Sequence, residues 1–194
     1  MPVMRIGEID AGRRDRIVEI LQATGMFRDE EIIVAIELFD SALAQSAGAL
    51  AANEASTMNH PPASSDYFFL GAFTPEDELA GFACYGPTPG TDRTYDLYWI
   101  AVDPAAQGAG SGTTLLSEVE RRLKGLNARM VVVETSSRSD YVATRGFYMH
   151  RGYVEAAVAH EFYAPADDRI TFIKRLQSRA AARNERGAHG VMVQ

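Results

Sequence analysis

A glycine-rich turn between a strand-like run and a helix-like run is the feature that most constrains this chain. The run from Tyr95 to Val102 is typical of a β-strand, and an Asp-Pro pair follows it. Gly108, Gly110 and Gly112 come next. Glycines let a ligand approach the backbone closely, and the amides at a helix start, with the positive end of the helix dipole, bind anions. The sequence therefore predicts a phosphate-binding turn. The apolar positions of the helix that follows have helical spacing: Leu115, Leu116, Val119, Leu123 and Leu126.

Spacing within this turn separates three phosphate-binding motifs. A P-loop needs a lysine followed by serine or threonine after its second glycine, and no lysine lies near the turn. A dinucleotide-binding fingerprint counted from Gly108 would need glycine where Thr113 stands, and counted from Gly110 would need it where Leu115 stands. Both motifs are excluded. The pattern that remains is Gln107-x-x-Gly110-x-Gly112.

That pattern resembles the Gln/Arg-x-x-Gly-x-Gly/Ala loop of the GNAT N-acetyltransferase superfamily. A second stretch, from Phe147 to Tyr153 (FYMHRGY), resembles the Phe-Tyr-x-x-x-Gly-Phe/Tyr element of the same superfamily. The resemblance is firm from about Tyr67 to Leu176 and thin before it. It implies that acetyl-CoA is the co-substrate and that the turn holds its pyrophosphate. The implied pyrophosphate contacts are Gln107, Gly108, Ala109, Gly110, Ser111, Gly112 and Thr113.

The resemblance also implies contacts to the rest of the cofactor. The backbone groups of Ile100, Ala101 and Val102 are expected to pair with the pantetheine arm as an added strand would. Ser136 and Tyr141 follow the strand-like run that starts at Met130, where the family places further cofactor contacts. In the family, the tyrosine that corresponds to Tyr148 points at the thioester sulfur.

Tyr148 is therefore the candidate general acid, because a hydroxyl within hydrogen-bond reach of sulfur can stabilise or protonate the departing CoA thiolate. The alternative interpretation is that Phe147 and Tyr148 are both packing aromatics.

Asp96 is the candidate general base that takes a proton from the acceptor amine. Two-residue periodicity places it on one strand face with Tyr98, Ile100 and Val102, and an aspartate is out of place on a pure core strand. Histone-type members of the family have a catalytic glutamate at what looks like the same strand position. The alternatives are that Asp96 is a strand-start carboxylate, or that Glu134 or a water relay is the base.

Composition narrows the function further. The 26 acidic and 19 basic residues give a net charge of −7, which opposes nucleic acid as a partner and favours a cationic or amine substrate. The single cysteine, Cys84, excludes an intramolecular disulfide and any multi-cysteine metal site. A strand cysteine is usually inert, so we expect direct transfer rather than an acetyl-cysteine intermediate. The four histidines lack paired ligand spacing, and no metal is expected.

The distribution of apolar residues along the chain also indicates its localisation and its domain organisation. The N-terminus lacks a signal-peptide core and no apolar run reaches membrane-spanning length, so we expect a cytoplasmic protein without membrane attachment. We predict one α/β (α+β) domain of the GNAT type over residues 1–176, with a mixed, strongly twisted sheet of about six to seven strands and about four helices. Its cofactor core is expected over about 67–176, its substrate-side helices over about 10–47, and a tail over 177–194. Asp10 is the predicted N-cap of the first helix, and the mixture of Ala, Ser, Asn and Pro from Gly48 to Asp66 predicts a loop after the second.

The activity predicted from these features is N-acetylation of a primary amine on a small molecule or peptide. The alternative is a non-catalytic acyl-CoA-binding sensor or interaction module with the same fold. The sequence leaves a homodimer open and does not identify the acceptor.

Overall fold

Strands and helices alternate along the chain much as their sequence periods predict. A computed structural model describes residues 4–55 and 67–176; the predicted tail 177–194 and residues 56–66 of the predicted loop lie outside the described residues. The strands are β1 (Arg5–Gly7), β2 (Phe68–Phe73), β3 (Leu79–Pro87), β4 (Thr94–Val102), β5 (Met130–Ser136), β6 (Val154–Ala164) and β7 (Asp167–Arg175). The α-helices are α1 (Arg14–Thr24), α2 (Asp29–Ala55), α3 (Ser111–Gly125) and α4 (Val142–Met149).

The seven strands form one sheet in the order β1-β2-β3-β4-β5-β7-β6. β4 and β5 run parallel, whereas β1–β2, β2–β3, β5–β7 and β6–β7 pair antiparallel. The prediction of a mixed sheet of six to seven strands with about four helices is confirmed. The chain places β7 between β5 and β6, so the last strand inserts into the sheet rather than extending its edge.

The parallel ladder between β4 and β5 is short. It runs from Thr94 opposite Met130 to Asp96 opposite Val132, while β4 itself continues to Val102. Asp96 is therefore the last β4 residue of this ladder. The rest of β4 extends past the paired region, with backbone groups that the ladder does not use.

Contacts divide the chain into two compact units, Met1–Pro87 with Leu97–Val119 and Thr88–Asp96 with Glu120–Gln194. In the first unit, Ile17, Ile20 and Leu21 recur on one face of α1 and are fully buried, as expected for an amphipathic helix. They share an apolar core with Phe39 of α2 and Phe82 of β3. Burial of these side chains holds the two N-terminal helices in the first unit.

The second unit combines an aromatic cluster with a largely buried ion pair. Tyr148 lies with Tyr153 and Phe172, at ring-centroid distances of 5.4 and 6.4 Å. Lys174 Nζ of β7 donates to both carboxylate oxygens of Glu120 on α3, at 2.8 and 2.7 Å. Glu120 is 8% exposed, so loss of Lys174 would leave a buried carboxylate without its partner.

Several element boundaries differ from those predicted. Asp10 is a cap, as predicted, but it accepts the Gly12 amide at 2.8 Å and begins a 3-10 turn that precedes α1. The second helix does not end near Ala47, and the prediction of a loop from Gly48 is wrong up to Ala55. Alanine has the highest helix propensity, which explains why this alanine-rich segment continues the helix.

Truncation of the first core tests the fold. We expect Phe82→Ala to lower the free energy of unfolding by about 3–5 kcal/mol, because Phe82 is fully buried and stacks on Phe69 at 6.1 Å. The matched control is Phe162→Ala on β6, where the ring is 54% exposed and the loss should be about 1 kcal/mol or less. Urea unfolding followed by circular dichroism measures both variants. Equal losses would contradict the assignment of the core.

Candidate functional site

The glycine-rich turn is anchored at its start by Asp103. One oxygen of its carboxylate accepts the Ala105 amide at 2.8 Å, and the other forms an ion pair with Arg16 of α1. The Asp103 amide donates to the carbonyl of Ala80 on β3 at 2.8 Å. The Ala105 amide and the Arg16 guanidinium lower the pKa of Asp103, so the carboxylate stays ionised and the anchor persists at neutral pH.

Two glycines of the turn adopt a conformation that other residues avoid. Gly108 has φ of 79° and Gly110 has φ of 84°, both in the left-handed region. A Cβ atom built on either glycine would meet no heavy atom within 4 Å. The glycines are thus required by the backbone path, and the space beside them is open to a ligand.

Polar bonds close the turn and start α3. The Gln107 side-chain amide donates to the Val102 carbonyl at 3.2 Å, which ties the turn to the end of β4. Thr114 donates both its amide and its hydroxyl to the Gly110 carbonyl, at 2.9 and 3.1 Å. The first turn of α3 contains no acidic side chain, and helix-start amides have no acceptor within their own helix. The residues from Gln107 to Thr113 therefore lie together in one turn that leads into the start of α3.

Close backbone approach fixes the strand that leads into the turn. A Cβ on Gly81 of β3 would meet the Ala101 carbonyl oxygen at 2.7 Å and the Val102 Cα at 3.1 Å. Only glycine fits at that position. Ile100 and Val102 are partly exposed, whereas Ala101 is buried.

Tyr148 lies near the end of α4 and is only 3% exposed. Its ring packs edge-on against Phe147 at 5.3 Å and against Tyr153. Burial raises the pKa of its hydroxyl, so the group stays protonated at neutral pH. Tyr148 is thus both a packing aromatic and a proton-carrying hydroxyl.

Asp96 is partly buried on β4. Thr88 Oγ1 donates to Asp96 Oδ2 at 2.8 Å. Burial raises the pKa of Asp96, and the Thr88 hydrogen bond opposes that shift. Glu134, the fallback base, has a 46% exposed side chain and an ion pair with Arg169 at 3.5 Å. The pKa of Asp96 is therefore displaced in the direction that makes a carboxylate a stronger base.

The predicted contact Ser136 is buried in a hydrogen-bond network. Its hydroxyl donates to Asp167 Oδ1 at 2.5 Å and accepts the Arg138 amide at 3.0 Å. Its carbonyl accepts Arg145 Nη1 of α4 at 2.6 Å. The Ser136 side chain therefore links β5 to the start of β7. Tyr141, at the end of a 3-10 turn before α4, carries the Arg138 guanidinium over its ring at 5.3 Å.

Sequence reasoning missed Asp167, Arg145 and Thr88. Each forms a hydrogen bond to a site residue that is distant in sequence or across a loop. Strand register or loop closure brings the two residues together, and the sequence does not show either. A weak signal exists for Thr88 alone, since threonines in the loop before Asp96 are suited to bond a nearby carboxylate.

An open groove of about 580 Å³ lies between α1 and α2 of the first unit. This volume is within the range of small-ligand pockets, and the sequence predicts substrate specificity on these helices. The lining combines apolar and charged side chains: Arg14, Val18, Gln22, Asp29, Ile32, Ile33, Ile36 and Glu37.

Histidines and acidic residues do not gather into a metal-binding group within residues 4–55 and 67–176. His150 and His160 are exposed and contact the Gly146 carbonyl and Asp168, respectively. His60 and His189 lie outside the described residues. Among the helices described, none is long and apolar enough to cross a membrane.

The fold and the turn together define a mixed α/β protein in which a glycine-rich turn joins β4 to α3. The sequence model of the acetyltransferase (GNAT) family matches residues 37–153, and the chain belongs to that family. The resemblance found in the two motifs is thereby confirmed. No protein with a curated description matches the chain.

Solved structures of similar fold agree with this assignment. A protein assigned to the GNAT acetyltransferase family from Desulfovibrio desulfuricans is 35% identical, with a TM-score of 0.77 over 91% of this chain and 100% of its own. The ribosomal-protein-S18-alanine N-acetyltransferase from Escherichia coli is 18% identical, with a TM-score of 0.64 over 91% of this chain and 96% of its own. The yncA protein from Salmonella typhimurium, whose structure contains its cofactor acetyl-CoA, is 17% identical, with a TM-score of 0.65 over 91% and 96%.

The reactivity of the Cys84 thiol tests whether an acetyl-cysteine intermediate is available to this protein. Cys84 is fully buried on β3, and burial raises the pKa of its thiol. We expect Ellman's reagent to detect no fast-reacting thiol in the folded protein at pH 8 and one thiol per chain in denaturant. Rapid labelling of the folded protein would show an accessible thiolate and reopen a covalent route.

Proposed function

We propose that this protein is an N-acetyltransferase that moves the acetyl group of acetyl-CoA directly to a primary amine of a small molecule or peptide. The observation that carries the proposal is the turn from Gln107 to Gly112. Its two left-handed glycines leave open space beside the start of α3, which suits a pyrophosphate, and the chain belongs to an acetyltransferase family.

Acetyl-CoA supplies an acetyl thioester, and its reaction with an amine breaks the C–S bond and forms an amide C–N bond. The turn contributes backbone amides and the positive end of the α3 dipole toward the pyrophosphate, with Gln107, Gly108, Ala109, Gly110, Ser111, Gly112 and Thr113 as its members. The backbone of Ile100, Ala101 and Val102, beyond the β4–β5 ladder, is proposed to pair with the pantetheine arm.

Tyr148 holds a proton at its hydroxyl and is proposed to deliver it to the departing sulfur. A tyrosine hydroxyl carries its proton at neutral pH even without burial, and burial raises the pKa of Tyr148 further. Tyr141 is proposed as a further cofactor contact. The Ser136 hydroxyl is engaged with Asp167 and Arg138, so a cofactor contact from Ser136 would have to replace one of these bonds.

Asp96 is proposed to accept the amine proton, directly or through a water. It is partly buried and has a raised pKa, and within the described residues it forms no ion pair of the kind that joins Glu134 to Arg169. An amine is the proposed acceptor because the reaction forms an amide bond to nitrogen. The net charge of −7 also favours cationic molecules, such as protonated amines. The Escherichia coli protein of the same fold acts on an alanine of ribosomal protein S18, which supports a peptide amine as one acceptor class.

Gly110→Glu tests cofactor binding by the turn. We expect the affinity for acetyl-CoA to fall at least about 100-fold, because the new carboxylate repels phosphate and the left-handed backbone disfavours a side chain. Isothermal titration calorimetry measures the affinity. The matched control is Gly25→Glu, at a glycine with φ of 64° and open space that caps α1; it should bind acetyl-CoA normally. Unchanged affinity in Gly110→Glu would remove the basis of the proposal.

Tyr148→Phe tests the proton donor. The phenylalanine ring preserves the packing with Tyr153 and Phe172, so we expect a normally folded protein whose kcat falls about 100-fold or more with little change in KM for acetyl-CoA. CoA thiol release with a panel of small amines, amino acids and peptide N-termini is the assay. Tyr153→Phe, which deletes a neighbouring buried hydroxyl, is the control. If both variants turn over like the wild type, Tyr148 is not the acid; acetyl-CoA binding without turnover on any amine would favour the sensor.

A further inference from the structure

The loop that precedes Asp96 is tied down at both ends. The Thr88 amide donates to the Thr94 carbonyl at 2.8 Å, and Thr91 Oγ1 donates to the Thr88 carbonyl at 2.7 Å. At the other end, the Arg129 amide donates to the Arg93 carbonyl at 2.8 Å. These bonds hold the backbone of Thr88 in place. The position of its hydroxyl then depends only on the rotamer of the side chain.

That hydroxyl donates to one particular oxygen of Asp96. The Thr88 Oγ1 to Asp96 Oδ2 distance is 2.8 Å, which is the usual length for a hydroxyl donor to an oxygen acceptor. A hydroxyl has one proton to donate, and a hydrogen bond to an ionised group is stronger than one between neutral groups. The bond therefore occupies Oδ2 and is strongest while Asp96 is ionised.

We propose that Thr88 is a positioning residue for the reaction, holding Oδ2 of Asp96 so that Oδ1 is the oxygen that receives the amine proton. This inference rests on the proposed role of Asp96 as the base. It adds a residue outside both sequence motifs and specifies which carboxylate oxygen acts.

Charge and burial explain why Asp96 needs such a donor. Partial burial favours the neutral carboxyl, which cannot accept a proton, and raises its pKa. On the neighbouring segments, the charged group Asp92 contacts Arg93 at 3.2 Å and Arg129 at 3.3 Å. On β5, the residue opposite Asp96 is the apolar Val132. The Thr88 hydroxyl thus opposes the effect of burial on the pKa of this carboxylate, through the hydrogen bond to Oδ2.

Thr88→Val, which keeps the branched shape and deletes the donor, is the test. Loss of the bond destabilises the ionised form, so the pKa of Asp96 rises and the acid limb of kcat/KM moves to higher pH. At a pH on that limb we expect kcat/KM to fall about tenfold, with KM for acetyl-CoA unchanged within about twofold. Thr88→Ser, which restores a hydroxyl, should recover the wild-type profile. Thr91→Val removes a hydroxyl that bonds the Thr88 carbonyl but not Asp96; because the Thr88 amide remains bonded to Thr94, it should move the acid limb less than Thr88→Val does.

A second readout separates this inference from the proposed function. NMR titration of protein with ¹³C-labelled aspartate, with the Asp96 signal assigned by its absence in Asp96→Asn, follows the carboxyl without any substrate. An Asp96 midpoint that is unchanged in Thr88→Val overturns the role of Thr88 and leaves Asp96 as base untouched. A midpoint that rises while the acid limb of kcat/KM stays in place overturns Asp96 as base. Equal effects of Thr88→Val and Thr91→Val would assign the change to loop order, and would also overturn the role of the hydroxyl.

Discussion

The glycine-rich turn depends on the Asp103 carboxylate at its start. This carboxylate accepts the Ala105 amide just before the turn and pairs with Arg16 of α1, and the Asp103 amide donates to β3. This anchorage sets where β4 ends, and therefore where Gly108 and Gly110 must turn with positive φ to start α3. A backbone-built anion site has to be rigid, because amide dipoles act at short range and lose their value if they must reorient. The ion pair with Arg16 supplies rigidity without placing a cation in the turn itself.

In the second unit, burial acts on two groups that are proposed to have opposite chemical roles, Tyr148 as proton donor and Asp96 as proton acceptor. It raises the pKa of both Tyr148 and Asp96, because desolvation penalises the charged form of each. For a proton donor this shift preserves the needed protonated state. For a proton acceptor it strengthens the base but also threatens to neutralise it. The Thr88 hydrogen bond opposes this neutralisation at Asp96.

The parts of the site that are local in sequence could be predicted from sequence, and the parts that depend on long-range closure could not. The turn was accessible because a left-handed backbone requires glycine and because a helix start carries its amides in a fixed direction. The face of β4 that carries Asp96 followed from strand periodicity. In contrast, the Ser136–Asp167 bond joins residues of β5 and β7, whose pairing requires β7 to insert between β5 and β6. The end of α2 was misplaced because helix propensity outweighed the polar residues that suggested a loop.

The burial of Cys84 and the two proposed proton-transfer groups favour direct transfer of the acetyl group to the amine over an acetyl-cysteine intermediate. Cys84 is buried with a raised thiol pKa, so it lacks the thiolate that a cysteine nucleophile requires. Direct transfer to a neutral amine needs one proton to leave nitrogen and one to reach sulfur, and the two proposed groups supply these roles. After one turnover Asp96 would hold a proton and Tyr148 would lack one. Because a phenolate is a far stronger base than a carboxylate, proton return to Tyr148 is downhill, directly or through solvent, and the same two groups are reset for the next cycle.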